Sequence, residues 1–202
     1  MTSPDPAYRE KLLSDMPSPS VSRNGHDTLR IEKMPRTCGR SINVPSVDSI
    51  IRQSQLQRRN VVNVRIFGGE ESAPNSWPWQ VGLSFMNQII CGGTMIGTRQ
   101  VLTASHCFQH SKNRKYYKVI IGLHDRLSKK FDSVTISNIT EYPDFGKPLA
   151  ASNDIALLTL SEDVTSFSQT VTTACLPKSE IAAGQPCIVT GWGLLNGNRK
   201  LQ

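Results

Sequence analysis

The chain has 202 residues, a formal net charge of +7 and 38% hydrophobic residues. Its apolar runs are all shorter than the roughly 20 residues that a membrane-spanning helix needs, so we expect no membrane span. The charge is uneven, because residues 1–65 hold 11 Lys+Arg against 6 Asp+Glu, whereas residues 66–202 hold 12 against 10. The basic character therefore lies mainly in the N-terminal arm.

The arm over 1–65 is predicted to be disordered. It is rich in Ser, Pro, Arg and Asn, and Tyr8 is its only aromatic residue, so it has too little apolar surface to offset the entropy of ordering. A weak helical pattern covers 48–60. The arm shows no apolar stretch of the kind that a secretory signal contains. Nucleic-acid binding is not expected, because the basic residues lack interleaved aromatics and any binding motif.

From Val64 onward the sequence becomes strand-like. Short runs rich in β-branched residues recur at about 10-residue spacing and are separated by Gly, Pro, Asn and Ser, which is typical of an all-β sandwich or barrel. These runs are WQVGLSF, GTMIG, QVLTA, YKVIIGL, DSVTISNI, DIALLTL and QPCIVTGWG.

Several short motifs along this part of the chain carry a family resemblance. In order they are RIFGGEES from Arg65, SWPWQVGL, CGGTMIG, VLTASHC, NDIALLTL at 153–160, CLP at 175 and GQPCIVTGWG at 184. Together they resemble the trypsin-like (chymotrypsin-fold) serine endopeptidases over residues 65–193. The resemblance implies an incomplete peptidase domain over 66–202. Its first barrel would cover about 66–165. The crossover and the opening strand of a second barrel would fill 166–202, with that strand at 184–193.

Two residues match the family's catalytic positions. His106 in VLTASHC would be the general base, and Asp154 would bind its δ-nitrogen and fix its tautomer. Without the resemblance, a structural histidine beside a disulfide is the favoured interpretation of His106, and the alternative for Asp154 is an ordinary turn residue at the start of a strand. The apolar run after Asp154 favours the catalytic interpretation, because a carboxylate at the mouth of a buried strand needs a partner.

The nucleophile that these residues would serve is not found in the sequence. The family places its serine in a Gly-Asp-Ser-Gly-Gly-Pro motif after Gly-Trp-Gly, and only nine residues follow Gly193. The oxyanion hole and the specificity pocket belong to the same missing region. The resemblance thus predicts a serine endopeptidase truncated before its serine and inactive as it stands. The alternative is a non-catalytic binding or decoy module derived from a peptidase.

The sequence contains five cysteines, so at least one of them has no disulfide partner within the chain. The resemblance implies bridges between Cys91 and Cys107 and between Cys38 and Cys175. It leaves Cys187 unpaired, since its family partner would lie near the absent serine. A metal site formed by Cys91, His106, Cys107 and His110 is not expected, because only one pair has a usual ligand spacing. No cofactor is expected either.

The resemblance also predicts how the enzyme is made and where it acts. Cleavage between Arg65 and Ile66 by an activating trypsin-like protease would convert a zymogen. The expected partners are protein or peptide substrates and protease inhibitors. The cysteines and the family indicate a secreted protein, and Asn138 in Asn-Ile-Thr is then a candidate glycosylation site.

Overall fold

The structure is a computed structural model that describes residues 38–41, 43, 71–128, 131–165, 170–196 and 199–200. These residues form short strands and two 3-10 helices, and no α-helix occurs within them. The strands are β1 (Gln80–Phe85), β2 (Gln88–Met95), β3 (Gln100–Thr103), β4 (Tyr117–Ile121), β5 (Asp132–Glu141), β6 (Ala156–Leu160), β7 (Leu194–Asn196) and β8 (Arg199–Lys200). The 3-10 helices are Ser105–Phe108 and Arg114–Tyr116.

The first six strands form a closed antiparallel barrel in the order β1-β2-β3-β6-β5-β4. Closure occurs at β1, which pairs with β2 on one side and with β4 on the other. Each of these strands therefore has two neighbours, and the barrel leaves no strand edge unpaired. The prediction of an all-β first barrel is confirmed.

Alternating apolar side chains fill the barrel interior. In β6, Ala156, Leu158 and Leu160 are fully buried, while the residues between them are half-exposed. The period of two places one face of each strand toward the core. Burying each Val, Leu or Ile contributes about 1.5–3 kcal/mol, so this interior is the main stabilising element. Its other members include Val81, Leu83, Met95, Val101, Phe108, Tyr117, Val119, Val134 and Ile136.

The segment 184–193 differs from the prediction, because it contains no strand. The first strand after it is β7, which pairs only with β8. A strand is held by hydrogen bonds to a neighbouring strand, and none of the described residues offers 184–193 such a partner. Two side chains near the end of this segment form hydrogen bonds to the barrel domain. Thr190 Oγ1 donates to Gln80 Oε1 (2.7 Å), and Trp192 Nε1 donates to the His124 carbonyl (2.7 Å).

Most of the N-terminal arm, including the helical pattern over 48–60, lies outside the described residues. The described part at 38–41 and 43 lies against the barrel domain. The Gly39 amide donates to the Thr173 carbonyl at 2.7 Å, and Ser76 Oγ donates to the Asn43 carbonyl at 2.9 Å. No helix within the described ranges has the length and apolar character needed to cross a membrane.

Candidate active site

His106 lies in the 3-10 helix Ser105–Phe108, which begins two residues after β3 ends. Cys107 and Phe108 are buried in the barrel core, and the Phe108 ring packs against Tyr117 with a centroid separation of 5.0 Å. The His106 side chain points outward instead and is 55% exposed. The buried neighbours therefore fix a short turn that holds an imidazole at the barrel surface.

Asp154 lies in the loop before β6, and Asn153 shapes that loop. Asn153 has a φ of 56°, a left-handed conformation that Asn tolerates better than most residues. Its side-chain amide donates to the carbonyls of Asp144 (3.2 Å) and Lys147 (3.0 Å). These hydrogen bonds hold Asn153 against the preceding turn and so fix the position of the next residue, Asp154.

The barrel topology brings His106 and Asp154 together across 48 residues of sequence. β3 pairs with β6, with Thr103 opposite Ala156, so the residue groups flanking these two positions are adjacent. His106 Nδ1 lies 2.6 Å from Asp154 Oδ2, and the His106 amide donates to Asp154 Oδ1 at 2.8 Å. An ionised carboxylate only accepts hydrogen bonds, so Nδ1 carries a proton, and in the neutral imidazole the lone pair is therefore on Nε2.

Ser105 adds a second link between the same two loops. Its hydroxyl is completely buried and donates to the Ile155 carbonyl at 2.6 Å. An alanine at this position could not make that bond. Neither this hydrogen bond nor the left-handed Asn153 was predicted from the sequence, although an Asn-Asp pair is a signal for such a residue.

Opposing effects act on the Asp154 carboxyl. Burial raises its pKa. The pKa is lowered by hydrogen bonds from the side chain and backbone of His106, by the charge of His106 and by the Ser105 backbone, and these effects together are larger than that of burial. The net result is a pKa below the usual value for Asp. The carboxylate is therefore ionised throughout the neutral range, which is the state that an orienting partner of histidine requires.

A disulfide lies beside the other ring nitrogen of His106. Cys91 in β2 and Cys107 are bonded to each other, and their sulfurs lie 3.9 Å and 3.8 Å from His106 Nε2. These three ligand atoms are grouped closely enough to hold a metal ion. Disulfide sulfurs are not thiolates, however, and the thiolate is the metal-binding form of cysteine. His110, the fourth residue weighed, stacks on Phe85 instead.

The structure also describes most of the other predicted site residues. Cys38 and Cys175 form a second disulfide. Cys187 is free and exposed. Asn138 is exposed on β5, where its amide donates to Thr140 Oγ1 at 3.0 Å. The predicted cleavage site at Arg65 and Ile66 lies outside the described residues.

Comparison with known proteins gives concordant matches. The Trypsin family model matches residues 66–202. Human kallikrein-4 is 36% identical over 138 residues, which cover 67% of this chain and 52% of kallikrein-4. The solved structure of neuropsin, a serine protease expressed in the limbic system of mouse brain, superposes with a TM-score of 0.58 at 31% identity, covering 67% of this chain and 59% of neuropsin. The chain thus spans about half the length of the curated relative it matches. With a family model that covers two thirds of its length, the chain belongs to the trypsin family.

Proposed function

We propose that His106 and Asp154 are the general base and its orienting carboxylate in a serine endopeptidase. The observation that carries the proposal is the pair of contacts from one residue to the other, Nδ1 to Oδ2 at 2.6 Å and the backbone amide to Oδ1 at 2.8 Å. A structural histidine needs neither an ionised partner held by two hydrogen bonds nor a side chain that is 55% exposed.

The chemistry of the pair follows from its tautomer. With the proton on Nδ1, the Nε2 lone pair is available to remove a proton from a serine hydroxyl and later to return it to the leaving amine. The resulting imidazolium is stabilised by Asp154, which stays ionised. These are the roles established for the triad of trypsin-like enzymes. Asp154 is only 24% exposed, so water screens the contact less than it would a surface ion pair.

The 202 residues contain no Gly-Asp-Ser-Gly-Gly-Pro motif, and so supply a base and an orienter without the family's nucleophile. We propose that they do not hydrolyse peptide bonds by themselves. Proteolysis then requires a chain that also carries the serine and its oxyanion hole. The second candidate, a binding or decoy module that uses the barrel alone, would be favoured only if the natural product has no serine motif.

Activation is proposed to follow cleavage between Arg65 and Ile66 by a trypsin-like protease. The Cys38–Cys175 disulfide supports a zymogen, because it joins a residue before the cleavage site to the barrel domain. The cleaved arm would stay covalently attached. A gel under non-reducing conditions would keep the cleaved chain in one band, whereas reduction would release the arm.

Protein or peptide substrates and protease inhibitors are the proposed partners, and the extracellular space is the proposed location. Two disulfides support this location, because such bonds persist in oxidising compartments. The exposed Asn138 is a proposed glycosylation site there. Loss of a mass shift on glycosidase treatment in Asn138→Gln, relative to the parent protein secreted from the same cells, would establish it.

The deciding experiment compares the 202-residue chain with the longest product of the same gene. We expect only a product that carries the serine motif to hydrolyse peptide substrates and to react with a fluorophosphonate probe. In that product, Asp154→Asn should lower kcat by about 10⁴-fold, the loss that the wrong histidine tautomer causes in trypsin-like enzymes. Asp163→Asn is the matched control, because this exposed carboxylate contacts Thr98 and Arg99 instead of a histidine.

Two results would contradict the proposal. Hydrolysis by the 202-residue chain that depends on His106 would mean that another nucleophile serves the base. A natural product that stops at Gln202 would remove the serine from the protein altogether, and the binding module would become the leading function.

A further inference from the structure

The serine mechanism does not use the sulfurs of Cys91 and Cys107, yet both lie beside its reactive nitrogen. His106 Nε2 is 3.9 Å from Cys91 Sγ and 3.8 Å from Cys107 Sγ. Cys91 lies in β2, whereas His106 and Cys107 are adjacent residues of the 3-10 helix Ser105–Phe108. Two sulfurs and one imidazole nitrogen are a donor set that Zn²⁺ prefers.

The far side of the imidazole is already arranged for a metal. Asp154 accepts the Nδ1 proton at 2.6 Å, which leaves Nε2 as the donor atom. Histidines that bind metals commonly donate their other ring proton to a carboxylate in this way, and the carboxylate fixes the ring and makes the ligating nitrogen more basic. The pair that would activate a serine would therefore also serve a metal ion, with His106 as the ligand and Asp154 holding its ring in place.

We infer that reduction of the Cys91–Cys107 disulfide creates a zinc site formed by Cys91, Cys107 and His106. Its fourth position is open to water. The site does not exist in the disulfide form, because the sulfurs there have no thiolate to offer. The inference concerns metal binding alone and holds whether or not a longer product cleaves peptides.

The chemical steps balance with a dithiol as reductant. The dithiol becomes its own disulfide, the Cys91–Cys107 bond breaks, and the two protons of the dithiol pass to the two cysteine sulfurs. Zn²⁺ then displaces both thiol protons and forms two Zn–S bonds. The Zn–N bond uses the Nε2 lone pair and releases no proton, because the imidazole proton remains on Nδ1.

The nitrogen–sulfur spacing is close to that of a zinc site, whereas the sulfur–sulfur spacing becomes suitable only after reduction. Zn–S bonds of about 2.3 Å and Zn–N bonds of about 2.0 Å at tetrahedral angles place nitrogen and sulfur about 3.5 Å apart and the two sulfurs about 3.8 Å apart. The nitrogen–sulfur separations of 3.9 Å and 3.8 Å need only a small adjustment, but the two sulfurs, which are bonded to each other in the disulfide, must move apart once that bond is broken. The Cα atoms of the two cysteines are 6.2 Å apart, held by β2 and by the buried turn after β3, so the thiols stay near each other after reduction.

The site also has an entry path. The His106 side chain is 55% exposed and Cys91 is half-buried, so that only Cys107 is enclosed by the core. A zinc ion reaching Nε2 would occupy the lone pair on which proton transfer from a serine depends. The oxidised form would thus present a base, and the reduced, zinc-loaded form would present a blocked base.

The test uses the 202-residue chain with Cys38→Ser, Cys175→Ser and Cys187→Ser, which leaves only the two cysteines of the site. The protein is reduced with a dithiol, freed of it without oxygen and titrated with Co²⁺ and then Zn²⁺. We expect a thiolate-to-cobalt charge-transfer band and the visible bands of a tetrahedral ion, both abolished by one equivalent of Zn²⁺. The oxidised protein should show neither.

Three variants assign the ligands. His106→Ala should shift the cobalt spectrum and weaken Zn²⁺ binding by at least about tenfold. Asp154→Asn should weaken it by about 10–100-fold, as the loss of a carboxylate that holds a ligating histidine commonly does. His110→Ala is the matched control and should change nothing, although Cys107 and His110 have the ligand spacing that sequence rules favour.

Three outcomes would overturn the inference. The first is a reduced, folded protein without the charge-transfer band. The second is a band that His106→Ala leaves unchanged. The third is loss of the near-ultraviolet circular dichroism of the barrel on reduction in the presence of Zn²⁺, because the site requires the folded turn.

Discussion

The barrel strands and the segment 184–193 have similar sequences and very different structures. VII at 119–121 in β4 and CIVTG at 187–191 are both β-branched and apolar, yet Val119 in β4 is fully buried whereas Val189 is 73% exposed. The difference is the presence of neighbours. β4 pairs with β1 and β5, while no strand among the described residues pairs with 184–193. An apolar sequence makes a strand possible, and a partner edge makes it form.

The largest expected contrast is between core truncations in the two regions. Leu158→Ala removes a fully buried side chain from β6 and should lower the free energy of unfolding by about 2–5 kcal/mol. Val189→Ala should change it by less than about 0.5 kcal/mol, because little of its surface is buried. Denaturant titrations of the two variants would measure both values. Similar losses in the two variants would mean that 187–191 packs as a strand.

The next largest contrast is between the cysteines of the two regions. Cys91 and Cys107 form a disulfide in the barrel domain, whereas Cys187 is free in the segment 184–193. Replacing both Cys91 and Cys107 by Ala opens a loop with a separation of 16 residues and should cost about 3 kcal/mol. Cys187→Ser alters an exposed side chain and should have almost no effect on the unfolding midpoint. A large effect of Cys187→Ser would show that this cysteine has a buried role.

Trp192→Phe tests whether the segment 184–193 and the barrel unfold independently, because it weakens the contact between them. The change keeps an aromatic ring but removes the indole N–H that donates to the His124 carbonyl at 2.7 Å. One such hydrogen bond contributes about 1 kcal/mol. Amide hydrogen exchange should become several-fold faster at 190–192 and stay unchanged in β6. Equal acceleration in β6 would show that the segment and the barrel unfold as one unit.

The smallest expected effect is the acid dependence of stability that Asp154 causes. Its pKa is lowered in the folded state from the usual 3.8, so its contribution is complete above that value and is lost as the pH falls through the lower folded value. Asp154→Asn should flatten the stability profile below about pH 4, the region where an unperturbed Asp titrates. Unfolding midpoints between pH 2 and pH 7 would measure this. An unchanged acid slope in the variant would assign the dependence to other carboxyls.

Much of the fold was predictable, because it depends on local pattern and family motifs. The strand-like runs at 79–85, 117–123 and 154–160 each contain an observed strand, and the all-β prediction was confirmed. The run at 184–193 was predicted in the same way and is not a strand. The pattern there was genuine, but a local pattern does not report whether a partner edge is present.

For the candidate site, the residue types were visible in the sequence and the contacts were not. His106 and Asp154 could be named from motifs, and their catalytic roles remain a proposal. The buried Ser105–Ile155 hydrogen bond and the left-handed Asn153 went unpredicted, because both depend on the path of the chain around the barrel rim. The grouping of Nε2 with two sulfurs was likewise hidden, since sequence spacing alone made it an awkward ligand set.

The sequence by itself determined the family, the strand-like runs that form the barrel and the identities of the candidate base, orienter and cysteines. Local rules suffice there, because side-chain alternation and short motifs are read over a few residues. Only the tertiary structure decided that β3 lies beside β6 and that His106 Nδ1 meets Asp154 Oδ2 at 2.6 Å across 48 residues. Such contacts arise from closure of the barrel, in which every strand's register is fixed by distant neighbours and by the shared core they bury.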